Sequence, residues 1–184
     1  MFENFFQPHI TTSLNLNIDL LEGLKQKLSN HEVDFAIGSL QAGLDEFDYR
    51  QLMAIDMIPV IAKKHLKEVK ASLSLFRRIP QIVLTSSAKA DSSNIVGSFA
   101  GAKHWFTSDI FMKEQLIANG LGWGRLPYHQ VCDKLDSGEL VEIKNIKEIS
   151  SFKVNMYLLK DKTKVLGPTA RSLWEFISQT YSNN

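Results

Sequence analysis

"LIANGLGWGRLPYHQV", residues 116–131, sets three glycines and a tryptophan between two segments with helical patterning. On its left, "DIFMKEQLIANG" (109–120) reads as a helix: Ser108 or Asp109 can cap the first turn, Ile110, Met112, Leu116 and Ile117 are apolar, and Gly120 can close it. On its right, Pro127 suits the first helical position of "PYHQVCDKLDSG" (127–138), which Gly138 terminates. "LGWGRL" (121–126) is then a short strand, where Gly122 and Gly124 let the backbone approach a neighbouring element or a ligand. Helix, strand and helix joined by turns this short point to an α/β protein.

Working outward, "QIVLTSS" (81–87) and "KHWFTSD" (103–109) are strands that each end in hydroxyl residues. "LVEIK" (140–144) and "FKVNMYLL" (152–159) are further strands, and "GPTARSLWEFISQTY" (167–181) is a closing helix with Ala170, Leu173, Trp174 and Ile177 on its buried stripe. "MAIDMIPVIAKK" (53–64) is an extended apolar strand, in which Pro59 argues for an edge position or a crossing between lobes. "LNLNIDL" (14–20) alternates with a period of two, as a strand with one buried face does. "LLEGLKQKLSN" (20–30) follows as a helix with Leu20, Leu21, Leu24 and Leu28 in one stripe and Asn30 as a left-handed stop; "VDFAIG" (33–38) is the next strand. Strand, helix, strand at this spacing is a βαβ unit with parallel strands, so largely parallel sheets are expected.

With 184 residues, 44% of them hydrophobic, the chain can bury a core as one domain or as two small lobes sharing a hinge. Twenty-one Lys and Arg stand against twenty Asp and Glu, which gives no reason to expect a polyanion as direct partner. Cys132 is the single cysteine, so an internal disulfide framework and a cysteine-rich zinc site are excluded; a reducing compartment fits. Glu3, Asn4, His9, Asn15, Asn17 and Asp19 interrupt any early apolar run, so neither a signal peptide nor a membrane helix is expected, and the chain reads as cytoplasmic.

Open α/β sheets hold ligands where strand ends meet helix starts. Those ends are Gly38 and Ser39, then Thr85, Ser86 and Ser87, then Thr107, Ser108 and Asp109. Hydroxyls beside the free N–H groups of a helix start can hold a carboxylate or phosphate; the same residue types serve equally as turn formers and caps. Trp123 belongs either to the ligand or to the core. Cys132 and His129 share a helical face, but a nucleophile needs a lowered pKa and an oriented base, and no enzyme is expected. His9, His31, His65 and His104 have no metal-ligand spacing, so no metal or cofactor is expected. Asp45, Glu46 and Asp48 form a solvated acidic patch; the lysines of 63–70, Arg77 and Arg78 cover a surface or meet an acidic ligand.

In order and spacing, "VDFAIG" after an amphipathic helix, "HWFTSDIFMKEQL" (104–116), "LIANGLGWGRLPYHQVCDKLDSGELVEI" (116–143) and "GPTARSLWEFI" (167–177) resemble the effector-binding domain of LysR-type transcriptional regulators, over Leu14 to Ile177. The resemblance implies an α/β fold of two Rossmann-like lobes joined by crossing strands, similar to type 2 periplasmic binding proteins: lobe one over 1–58, lobe two over 59–158, and a return to lobe one with the last helix over 159–184. It further implies a small-molecule effector in an interlobe cleft, with Gly38, Ser39, Thr85, Ser86, Ser87, Thr107, Ser108, Asp109 and Trp123 as candidate contacts, and a homodimer that meets no membrane.

Two departures stand out. Nothing ahead of Leu14 could encode the family's helix-turn-helix, so DNA is expected as a partner only through a domain outside this chain. "MFENFFQPHITTS" (1–13) resembles only the end of the family's first helix, which leaves the first strand missing, lobe one incomplete, and the edges of "LNLNIDL" and "VDFAIG" to be paired by another segment or chain. Met1 then marks a fragment or an internal start. The alternative reading is a free-standing solute-binding protein that serves a transporter, against which the lack of an export signal counts; a small α/β hydrolase or transferase is the third.

Overall fold

Helix α1 (Leu21–Ser29) closes one residue later than its pattern suggests, because His31 rather than Asn30 takes the left-handed conformation, at φ 57°. The Glu32 N–H reaches Lys27 O at 2.9 Å and the His31 N–H reaches Leu28 O at 3.0 Å, the paired bonds that satisfy the last carbonyls of a helix. The computed structural model describes residues 5–7, 11–19, 21–40, 43–66, 73–85 and 97–182.

Ahead of α1 the expected strand is absent. Residues 13–19 have no regular structure, and Leu14, Leu16 and Ile18 are 49%, 75% and 94% exposed. The apolar alternation is real, but no described residue buries it, and Leu20 lies outside the described residues. There is accordingly no βαβ unit here: β1 (Ala36–Gly38) runs antiparallel to β7 (Phe152–Asp161), with Ala36 opposite Leu159 and Gly38 opposite Tyr157.

The chain divides into two compact units, Met1–Ala54 with Asn155–Asn184, and Ile55–Val154, whereas the family resemblance implies borders at 58/59 and 158/159. The long strand β2 (Phe47–Ala62) and β7 each carry the chain across a border. In the first unit the strand order is β1-β7-β2. The closing helix expected over 167–181 forms as α5 (Pro168–Ser182), and its Leu173, Trp174 and Ile177 pack with Leu52, Leu158 and Leu166. Leu28 of α1 joins Leu40, Phe47 and Leu159 in a second cluster.

The second unit has the order β2-β5-β3-β4, from β5 (Trp123–Pro127), β3 (Gln81–Leu84) and β4 (His104–Thr107), while β6 (Leu140–Glu142) pairs with β2. β3 is parallel to β4 and β5, but β2 is antiparallel to β5 and β6. The sheet is therefore mixed rather than largely parallel: β2 enters as a sixteen-residue strand rather than through a helical crossover, so nothing obliges it to be parallel. Pro59 is no edge residue, since it lies opposite Arg125 of β5 and its carbonyl accepts the Ile143 N–H at 2.8 Å; it lies inside the second unit, on the strand that crosses the border at 54/55.

Alternate residues of these strands supply two clusters on opposite faces. Ile58, Val60, Ile82 and Leu126 pack with Ile117 of α3 (Ile110–Ala118) and Val131 of α4 (Tyr128–Asp136); Ile61 and Trp123 pack with Phe76 of α2 (Leu73–Arg78), Phe99, Ile143 and Ile149.

The glycines of the 116–131 stretch now have definite tasks. Gly120, at φ 69°, ends α3 while the Leu121 N–H bonds Leu116 O at 2.9 Å. A Cβ on Gly122 would lie 2.5 Å from Ile82 Cδ1 and 2.6 Å from the Pro80 carbonyl oxygen; one on Gly124 would lie 2.8 Å from the Ile82 carbonyl oxygen. Both therefore permit close packing on β3. At Gly167, by contrast, a Cβ would meet nothing within 4 Å. Gly122→Ala should thus lower the unfolding free energy by about 1–3 kcal/mol in urea titrations, as overpacking against backbone does, whereas Gly167→Ala should stay within about 0.5 kcal/mol of the parent.

Candidate functional site

The parallel pairing of β3 and β4 joins the backbones of two candidate residues, the Thr85 N–H donating to Thr107 O at 3.0 Å, while the residue in register with Thr107 is Leu84. Beyond β4 the chain turns into α3. The Asp109 N–H donates to Thr107 Oγ1 at 3.2 Å, and Asp109 caps the helix by accepting the Met112 N–H on Oδ1 at 2.7 Å. Ser108 between them is exposed. Thr107 and Asp109 thus hold the shape of the turn, while Ser108 presents its hydroxyl. Ser86 and Ser87 lie outside the described residues.

In the other unit, Gly38 is buried and Ser39 half-buried; the glycine is accounted for by α1, because a Cβ there would sit 2.8 Å from Leu24 Cδ1. Trp123 takes the core alternative. It is fully enclosed, with Phe76 and Phe99 ring centroids 5.4 and 6.0 Å away and its Nε1–H donating to Phe76 O at 3.2 Å. An indole that packs two aromatic rings and places its one donor satisfies every requirement of a core position. The Cys132 thiol meets the His129 carbonyl at 3.6 Å rather than its imidazole, so the shared helical face does not form a nucleophile and base. No group of His, Cys, Asp and Glu suited to hold a metal ion occurs among the described residues.

The apolar stripe expected on α3 is rotated. Phe111 and Met112 are 65% and 53% exposed, whereas Lys113 and Glu114 are 6% and 7% exposed. Glu114 is well compensated: Lys134 Nζ lies 3.0 Å from its Oε1 and Gln130 Nε2 donates to its Oε2 at 2.6 Å. The hydrogen bond to Glu114 raises the Lys134 pKa. Lys113 has no such partner. It lies against β5, where a Cβ on Gly124 would come within 3.2 Å of its Cε, and burial, reinforced by the charge of Arg125, lowers its pKa from 10.5 to about 8.

Arg125, 7% exposed, donates from Nε to Ser150 O at 3.0 Å and from Nη1 to Gly97 O, and its guanidinium lies 5.5 Å from the Phe152 ring centroid; burial lowers its pKa too. Gln81 donates to the same Gly97 carbonyl at 2.7 Å and accepts the Phe99 N–H at 2.7 Å, so Arg125 and Gln81 together pin the turn that leads into β4. Neither Lys113 nor Arg125 was singled out for this site by the sequence pattern. A lysine inside an apolar stripe is the one available signal, and it is read as a solvated interruption unless the facing strand is known to carry a glycine.

The profile of the LysR substrate binding domain matches residues 1–182. The chain belongs to this family. It is 26% identical over 153 residues to the uncharacterized HTH-type transcriptional regulator YeeY of Escherichia coli (strain K12), a match that covers 80% of this chain and 50% of YeeY, so the chain spans half the length of that curated relative. Among solved structures, the CcmR regulatory domain of Synechocystis PCC6803 in complex with 2-PG superposes with a TM-score of 0.73 at 15% identity, over 99% of this chain and 89% of that one. Full-length HypT of Salmonella typhimurium, a hypochlorite-specific LysR-type transcriptional regulator, gives 0.70 at 16% identity, over 97% and 64%. The fold is that of LysR regulatory domains, the type 2 periplasmic-binding-protein fold, as the sequence resemblance implied.

Lys113 makes a prediction about pH. Its proton is held at about 8 in the folded chain and at 10.5 in the unfolded one, so between these values the unfolded state binds more protons and stability rises with pH. Below pH 8 the penalty is fully present, on the order of 3 kcal/mol. Lys113→Met should therefore be more stable than the parent at pH 7, by about 1–3 kcal/mol in urea, and its advantage should shrink as pH climbs toward 10.5. A variant less stable than the parent at pH 7 would show that the buried ammonium is not a cost.

Proposed function

We propose that this chain is the effector-sensing part of a LysR-type transcriptional regulator, which binds a small organic molecule in the cytoplasm and passes the resulting change of shape to a DNA-binding part. The observation that carries the reading is the family match over 1–182, taken with the backbone bond that joins Thr85 to Thr107 at the strand ends ahead of a capped helix. In this reading the second unit contacts the ligand through Thr85, Ser86, Ser87, Thr107, Ser108 and the first turn of α3. Support comes from the CcmR domain, whose structure is in complex with 2-PG. The ligand shifts the balance of domain conformations only by its difference in affinity for them.

The partner is a second copy. Trp105, Phe106, Phe111 and Met112 of the second unit are exposed, as are Leu14, Leu16 and Ile18 of the first, and residues 55–154 carry 14 Lys and Arg against 10 Asp and Glu while the rest of the chain carries 7 against 10. Opposite net charges suit a pairing of unlike units across two copies. No helix among the described residues is long and apolar enough to cross a membrane.

Two measurements test the reading. A thermal-shift screen of amino acids, organic acids, sugars and phosphorylated metabolites should find a compound that raises the melting temperature by several degrees; Ser108→Ala, which leaves the Asp109 cap intact, should weaken that compound about tenfold. A screen without a single shift would overturn it. In sedimentation equilibrium the chain should run as a dimer that Phe111→Lys with Met112→Lys converts to monomer; an unchanged dimer would place the interface elsewhere.

A further inference from the structure

The segment that links β6 to β7 forms a concavity that the effector reading does not use. Residues 142–151 line a cavity of about 650 Å3, inside the range of roughly 300–1,000 Å3 that small organic molecules occupy. The fold fastens both ends of this segment. At its start the Ile143 N–H donates to Pro59 O of β2 at 2.8 Å, and at its end Ser150 O accepts the Nε–H of Arg125 on β5 at 3.0 Å. Between them Asn145 takes the left-handed conformation, at φ 64°, and the Ile149 N–H donates to Ile146 O at 2.9 Å. Ile143 and Ile149 are buried in the cluster around Trp123. The chain's own contacts therefore shape the cavity.

Charge decides what suits it. The one carboxylate in the lining, Glu142, is already paired, with Lys144 Nζ 3.1 Å from its Oε2. Asn145, Lys147, Ser150 and Ser151 are exposed, and none of their side chains makes a hydrogen bond or ion pair with another described residue. Arg125 stands behind them. It is 7% exposed, its hydrogen bonds run to the main-chain carbonyls of Ser150 and Gly97, and it pairs with no carboxylate among the described residues. A cation removed from water and left without a counter-ion is weakly screened, so its field reaches the wall formed by Ser150. The groups left to meet a ligand are thus a lysine, an amide and two hydroxyls in a positive field, beside the apolar Ile146.

We propose that this cavity is a second small-molecule site, built from other residues than the strand-end hydroxyls, and that it takes an organic anion. Lys147 and the hydroxyls of Ser150 and Ser151 meet its carboxylate or phosphate group, and Ile146 meets a short apolar body. The proposal stands without the effector reading. Because the segment is bonded to β2 at Pro59 and continues into β7, it joins the two strands that carry the chain across the unit border, and a ligand there modulates their junction.

The test records amide NMR spectra of the whole 184-residue chain at constant ionic strength while butyrate, succinate or propyl phosphate is added, with glucose and butylamine as neutral and cationic probes. At least one anion should shift the Asn145, Lys147 and Ser151 amides in a saturable way. Lys147→Glu, at an exposed position, should keep its melting temperature within about 2 °C of the parent and weaken that anion about tenfold or more. Lys103→Glu, which makes the same change of charge at another exposed position, should leave the affinity unchanged. Butyrate against propyl phosphate tells which oxyanion is preferred. Shifts confined to residues 107–112, binding of glucose or butylamine alone, equal loss of affinity in both variants or in neither, and silence from every probe would each overturn the proposal. None of these outcomes removes the effector reading, whose own compound is found by melting temperature and weakened by Ser108→Ala.

Discussion

The fit of β5 against β3 and α3 is the constraint on which the second unit depends. Gly122 and Gly124 carry no side chain because the backbone oxygens of Pro80 and Ile82 occupy the places where their Cβ atoms would be. That approach lets α3 settle onto the sheet, with Ile117 and Lys113 both touching the space above Gly124. On the opposite face the same strand presents Trp123 to Phe76 and Phe99. Two residues without side chains thus determine which side chains are buried on both faces. They also determine the electrostatics, since the helix that closes onto Gly124 takes a lysine out of water.

The borders of the sheet are held by polar contacts of higher specificity than the apolar clusters. Gln81 and Arg125 converge on the Gly97 carbonyl, and Gln81 also accepts from the Phe99 amide, so the turn before β4 is fixed at three points. The first unit uses a comparable device. Lys164 reaches His31 O at 3.0 Å, Val33 O at 2.8 Å and the Asp34 carboxylate at 3.2 Å, while Asp161, its pKa held down to about 2 by the Thr163 hydroxyl, then the Thr163 N–H and His31, lies in the adjoining turn. The turn after α1 is thereby fastened to the turn after β7. Apolar burial supplies most of the driving force of folding but little direction, and such bonds select one register from those that burial alone would accept.

Much of this was legible in the residues. The helices 109–120, 127–138 and 167–181 declared themselves through caps, a terminal glycine and an apolar stripe, and the strands at 81, 103 and 121 through short apolar runs between them. What failed failed for identifiable reasons. Leu14, Leu16 and Ile18 alternate as a buried strand does, yet periodicity states only which residues share a side, not whether anything covers it. The direction of β1 followed from a βαβ unit whose first strand is not formed, so one misread segment reversed a pairing. Trp123, open in the sequence between ligand and core, and Lys113 are both placed by neighbours, Phe76, Phe99 and Gly124, that are remote from them in sequence or unremarkable by themselves. The serines at 86 and 87 lie outside the described residues, so that part of the strand-end pattern stays an expectation.

A sensing domain must couple ligand occupancy to its own free energy, and an uncompensated charge is one way to do so. A site in which every polar group is already satisfied gains little from a ligand beyond the contacts it makes. A charge held away from water without a partner leaves a deficit that an added counter-charge reduces, so binding there changes stability as well as filling space. Helix α3 is capped by Asp109 at one end, closed by Gly120 at the other, and packed on β5 over Gly124. A helix held at both ends and along one face shifts as a body rather than by bending. That is the kind of displacement that packed interfaces transmit in discrete steps.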